Sequence, residues 1–212
     1  GVILALVYFA AFTSIFFTLS ILWQGGLGHT ALESGLLTIP FAIGTAVISS
    51  QSTKWAAKIG RAVLVYGAAM VAIGLGITWY LLANVAVADL NSWMLLPGLL
   101  LAGAGNGFFL APNVQFIVAT VDNAEAGAAS GVVQTVQRMG TAIGVAIIGS
   151  ILFGALTPDK MVPGLIGQAF KDGAAGAMLT SAIMAVAAFF LVFTLPKRIQ
   201  LHGAPSAAPA GD

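Results

Sequence analysis

The amino-acid sequence predicts an all-α transmembrane protein, a six-helix bundle built from two inverted three-helix repeats. Three observations predict it. The 212 residues are 59% hydrophobic and only 7% charged, with a mean hydropathy of +1.00. Soluble domains carry about 25% charged residues, so lipid has to be the main solvent. Six apolar runs each reach the roughly 18–20 residues that cross a bilayer. A small-residue motif in the second run also recurs in the fifth.

In chain order, the first span covers about Val2 to Trp23 without a charge. Gly1 enters it with no basic stretch before it, unlike a signal peptide, and the start is expected to be a cut through a longer protein. The second span runs from Ser34 to about Thr53 and the third from Ala62 to about Ala83. The fourth runs from Trp93 to about Val121, the fifth from Gly127 to Leu156, and the sixth from Gly173 to Leu195. Trp23, Trp55, Trp79 and Trp93 all fall near predicted span ends, where an indole favours the headgroup level. The connection from Thr157 to Asp172 is the longest; it reads either as a short interfacial apolar face through Met161, Val162, Leu165, Ile166 and Phe170 or as a plain loop. The unit is expected to cover residues 1–202, and residues 203–212, rich in Ala, Pro and Gly, read as a disordered tail.

Alternation of the spans places Lys54, Lys58, Arg61, Lys197 and Arg198 on one side. Only Lys160 and Lys171 fall on the other. The positive-inside rule makes the first side cytoplasmic, with both chain ends there.

The repeat shows in Ser34-Gly35 with Gly44-Thr45-Ala46, matched by Ser130-Gly131 with Gly140-Thr141-Ala142. The offset is constant at 96 residues (130 − 34 and 140 − 44). Each motif lies on the middle span of a triplet. Three spans per copy force the second copy to insert upside down, as in many transporters. Gly103 and Gly107, Gly127 and Gly131, and Gly140 and Gly144 are spaced four apart, which lets helix backbones approach closely. Pro40 and Pro112 lie inside spans, where each removes a backbone donor and bends its helix.

Polar residues inside the spans carry the functional reading. Ser130, Gln134, Gln137, Arg138 and Thr141 recur on the fifth span within a wedge of roughly 100°. A charge at the centre of an inserting helix costs about 2.5–3.5 kcal/mol, so this stripe is expected to face protein or water. Two readings of Arg138 fit: a lining of a shared cavity, or a side chain snorkelling to the cytoplasmic headgroups. Asn106 and Asn113 lie seven apart on the fourth span with Phe109 near them. The first span offers Tyr8, Phe12, Thr13 and Phe16 and ends at Gln24. Aromatics with a few amides suit amphipathic or cationic organic molecules; ordinary helix packing accounts for any one of them equally.

No Asp or Glu lies well inside a span, and Glu33, Asp89, Asp122, Glu125, Asp159 and Asp172 sit in loops or at edges. A carrier coupled to protons needs a titratable group within the membrane, and if this one is, the carboxylate belongs to an absent half. The absence of cysteine rules out thiolate metal sites and disulfides. Membrane enzymes need clustered His, Asp, Glu or an activated Ser, so an enzyme is not expected. Neither is a cofactor, a metal or a nucleic-acid partner.

These residues together resemble the C-terminal six spans of the fourteen-spanner drug:proton antiporters, the EmrB/QacA type of the major facilitator superfamily. The resemblance is clearest from Gly98 to Leu152: Pro112, then Ala129-Ser130-Gly131, then Gln137-Arg138-Met139-Gly140, then Ala142-Ile143-Gly144-Val145-Ala146. The stretch Gln24, Gly28, Gly35, Pro40 is similar to the preceding helix–loop–helix. Lys58-Ile59-Gly60-Arg61 resembles the second copy of the superfamily's cytoplasmic loop motif, with Ala57 where the first copy has an aspartate. The resemblance implies half of a major facilitator fold in a bacterial inner membrane, exporting hydrophobic or cationic compounds in exchange for protons. The partners it implies are the bilayer, a missing N-terminal half, substrate and protons, with no transport by this chain alone. A non-transporting subunit or truncated product that pairs with a separate half carries the same signature.

Overall fold

Long apolar helices form wherever the sequence offers the backbone no water, because each N–H must then be satisfied within its own segment. The computed structural model describes residues 2–118, 126–157, 159, 162 and 164–195. Among them lie seven α-helices and no strand. Helix α1 is Val2–Ile21 and runs on as a π-helical turn, Leu22–Gly26. A short α2, Ala31–Leu37, leads into α3, Ile39–Ile59. Then come α4 (Ala62–Asn84), α5 (Ser92–Val118), α6 (Ala126–Gly154) and α7 (Ile166–Val192). With α2 and α3 counted as one span, six segments are long and apolar enough to cross a membrane.

The packing is exchanged between the two triplets. The middle helix of each lies on the first helix of the other, α3 on α5 and α6 on α1, and the last helices, α4 and α7, lie on each other. Glycines make these crossings close. A Cβ at Gly44 would fall 2.5 Å from the Leu100 carbonyl oxygen, and one at Gly140 would fall 2.5 Å from that of Leu6. These two glycines are 96 residues apart, so equivalent positions do equivalent work in the two copies. Gly103 against Phe41 and Gly107 against Thr45 show α3 and α5 running parallel; Gly140 against Leu6 and Gly144 against Ala10 show the same for α1 and α6. Gly67 against Gly105 and Gly74 against Gly98 run oppositely, so α4 is antiparallel to α5. A Cβ at Gly127 or Gly131, also expected to pack, would meet nothing within 4 Å among the described residues.

Several boundaries differ from the sequence reading. Helix α3 continues through Lys54 and Lys58 to Ile59, so the predicted cytoplasmic loop shrinks to Gly60 and Arg61. Both lysines are exposed on the final turns, where a cation complements the helix dipole. Pro40 stands at the first turn of α3, and the chain breaks two residues earlier, at Thr38. Pro112 lies inside α5, together with Pro97. Helix α7 starts at Ile166 and absorbs Lys171 and Asp172, which the sequence placed in a loop. Trp23 is buried and stacked on His29, with ring centroids 6.2 Å apart, rather than at a lipid interface. Asp122, Glu125, Lys160, Lys197, Arg198 and the 203–212 tail lie outside the described residues.

Candidate functional site

The polar stripe of α6 begins as a consequence of its packing. Val133, Gly140, Gly144, Ile148 and Leu152 are buried, and the polar residues flank that seam. Gln134 and Arg138 are exposed, while Gln137 and Thr141 are half-buried. The Thr141 and Thr13 hydroxyls lie 3.2 Å apart, and Thr13 donates its single proton to the Phe9 carbonyl at 2.9 Å. The Thr141 proton therefore completes the bond between them. The α2–α3 span and α6 are the least covered of the six, 22% buried against 56% for α5.

The equivalent threonine of the first triplet, Thr45, was missed as a site residue. Its hydroxyl donates to the Gly103 carbonyl at 3.0 Å and accepts from Asn106 Nδ2 at 3.4 Å. Asn106 Oδ1 in turn accepts from the Tyr8 hydroxyl at 3.1 Å. The Tyr8 ring stacks on Phe109 with centroids 3.6 Å apart. The 96-residue offset that relates Thr45 to Thr141 is the signal that could have found it.

Asn106 and Phe109 were expected at a cavity surface. They are 4% and 0% exposed, and the Asn106 amide is committed to Tyr8 and Thr45. The structure buries both, and their contacts tie α1, α3 and α5 together. Asn113, two turns further along α5, is 1% exposed, and neither amide atom has a partner among the described residues. Phe12 and Phe16 are half-buried and gather on Phe41 of α3, at 5.4 and 5.2 Å. Gln24 is exposed in the π-helical turn that ends α1 and donates to Ser20 Oγ at 2.7 Å.

At the opposite end, Gly60 closes α3 with φ +60, a left-handed conformation that glycine adopts without a Cβ clash. Arg61 reaches from there to the carbonyls of Phe193 and Leu195. Lys58 is exposed. Among the described residues no group of His, Asp and Glu could hold a metal ion.

Residues 1–210 match the sequence profile of the Major Facilitator Superfamily. The chain belongs to that superfamily. It is a multi-pass membrane protein of a family of transporters, not of enzymes. Its superfamily relatives include a probable actinorhodin transporter of Streptomyces coelicolor, 33% identical over 74% of this chain and 27% of the relative. A multidrug resistance protein of Mycobacterium tuberculosis is 30% identical over 69% of the chain and 26% of its own length. A puromycin resistance protein of Streptomyces alboniger is 28% identical over 92% of the chain and 41% of its own length. The chain thus spans less than half the length of each of these superfamily members.

Proposed function

We propose that residues 1–202 are the C-terminal six-helix half of a drug:proton antiporter of the fourteen-spanner EmrB/QacA branch. It works in a bacterial inner membrane with both ends of this chain in the cytoplasm, and exports hydrophobic or cationic organic compounds. The observation that carries the reading is the uncovered polar face of α6 on a chain whose antibiotic- and drug-named relatives are more than twice as long. Exposed polar groups in a membrane helix need protein or water beside them. A second half covering α3 and α6 would provide both.

On this reading Gln134, Gln137, Arg138 and Thr141 line the substrate path, and Phe12 and Phe16 offer apolar and π surface. Tyr8, Asn106 and Phe109 hold that surface from behind. The coupling proton moves on a carboxylate of the other half, since the described interiors of α1 and α3 to α6 supply none. The test is reconstitution in proteoliposomes with and without the covering half. The paired protein should extrude a cationic dye when the pH gradient is imposed, and the 212-residue chain alone should not. Dye efflux by the chain alone would overturn the proposal.

A further inference from the structure

We propose that Arg61 and Lys171 are paired clasps that lock α4 and α7 into one rigid unit at both membrane faces. The inference goes beyond the transport reading and concerns which helices can move.

Arg61 immediately precedes α4. Its Nη1 donates to the Phe193 carbonyl at 2.8 Å and to that of Leu195, and its guanidinium carbon stands 5.6 Å from the Phe193 ring centre. Phe193 caps α7. Lys171 lies near the start of α7. Its Nζ donates to the carbonyl of Val85 at 2.8 Å, and Val85 caps α4. Each helix thus sends a cation from its own beginning to the end of the other.

The chemistry explains the choice of partner. The last carbonyls of a helix have no intrahelical donor and carry the negative end of the dipole. Neither cation has a carboxylate within ion-pair distance among the described residues, where the one salt bridge joins His29 and Glu33. Asp172, next to Lys171, is exposed and accepts from Gln168. Lys171 is 5% exposed, so the Val85 carbonyl answers a cation that water barely reaches. Burial of an unpartnered ammonium is strongly unfavourable, which ties the position of Lys171 to the integrity of this contact.

Two attachments at opposite ends of a seam constrain it differently from one. With a single clasp the helices can splay about it; with both, the pair can neither scissor nor slide. The α4 helix of 23 residues separates the clasps by about 34 Å at 1.5 Å per residue. Opening of the bundle has to be absorbed elsewhere. Among the described residues, the π-helical turn Leu22–Gly26 at the end of α1, the break at Thr38 between α2 and α3, and the prolines at 97 and 112 in α5 are irregular helix segments that can absorb it.

The test uses spin-label distances in the intact transporter in lipid nanodiscs, with labels on cysteines introduced into a chain that has none. One pair (Tyr66 and Phe190) reports the cytoplasmic end of α4–α7, a second (Tyr80 and Gln168) the outer end, and a third, across α1 and α5, serves as reference. The account predicts that both α4–α7 distances stay within about 2 Å while pH or substrate shifts the reference pair. R61Q should broaden only the cytoplasmic distribution, and K171M only the outer one. R61K and K171R should restore narrow distributions, and they also stand in where the harsher variants fail to give a monodisperse protein. Unbroadened distributions in R61Q and K171M, or wild-type α4–α7 distances that move with the reference pair, would overturn the proposal. A reference pair that never moves counts against the transport reading and leaves the clasps to be judged by the variants.

Discussion

Replacing Gly103 with alanine tests the packing that positions the whole site. The added Cβ would fall 2.1 Å from the Phe41 carbonyl oxygen and 2.8 Å from both the carbonyl carbon and Cα of Phe41. Ordinary carbon–oxygen contacts lie near about 3.3 Å, so α3 and α5 must part by more than about 1 Å. No rotamer relieves the clash, because every atom met is backbone. Parting the helices also loosens Gly44 on Leu100, Gly107 on Thr45 and the Thr45 bond to Gly103. Overpacking costs about 1–3 kcal/mol, and this case belongs at the upper end. A Cβ at Gly76 of α4 meets nothing within 4 Å among the described residues, so Gly76→Ala carries the same gain in helix propensity without the clash. At about 2–4 °C per kcal/mol, Gly103→Ala should melt roughly 6–12 °C below Gly76→Ala in a detergent thermal scan. Equal melting temperatures would refute the close approach of α3 and α5.

Tyr8→Phe leaves Asn106 Oδ1 without its buried donor and should destabilise by about 1–3 kcal/mol; the same scan reads it, and an unchanged Tm counts against the Tyr8–Asn106 bond. Asn113→Leu removes an amide with no partner among the described residues, so it should be neutral or stabilising by about 1 kcal/mol. A loss as large as that of Gly103→Ala would show that the amide is satisfied after all. Arg138→Gln in the complete transporter should reduce efflux at least about tenfold at normal membrane levels, a loss of about 1.4 kcal/mol. Unchanged efflux would assign Arg138 to the cytoplasmic headgroups instead.

The spans were legible because hydropathy reports the solvent directly, and lipid tolerates few charges. The boundaries failed where long cationic side chains sit on a helix. Lys54 and Lys58 extend from the last turns of α3, and Lys171 buries its stem and turns its ammonium to a helix end. A reading that ends a span at each charge misses all three. The α6 stripe was visible from spacing; on α3, Thr45 shares its face with Ser49 and Ser52, so spacing alone does not single it out. The same 96-residue offset would have supplied it. Partnerships such as Tyr8 with Asn106, or Arg61 with Phe193, join residues 98 and 132 apart. Nothing local in the sequence encodes which of many compatible helix ends meet. Asn106 and Asn113 look alike in sequence, yet one bonds through both its amide oxygen and nitrogen and the other has no described partner.

A chain free of cysteine permits a single-cysteine accessibility scan with no background. In the assembled transporter, cysteines at Gln134 and Thr141 should react with a water-soluble, membrane-impermeant maleimide, and those at Ile73 and Phe190 should not. Labelling at Gln134 and Thr141 by lipid-soluble reagents alone would contradict the account.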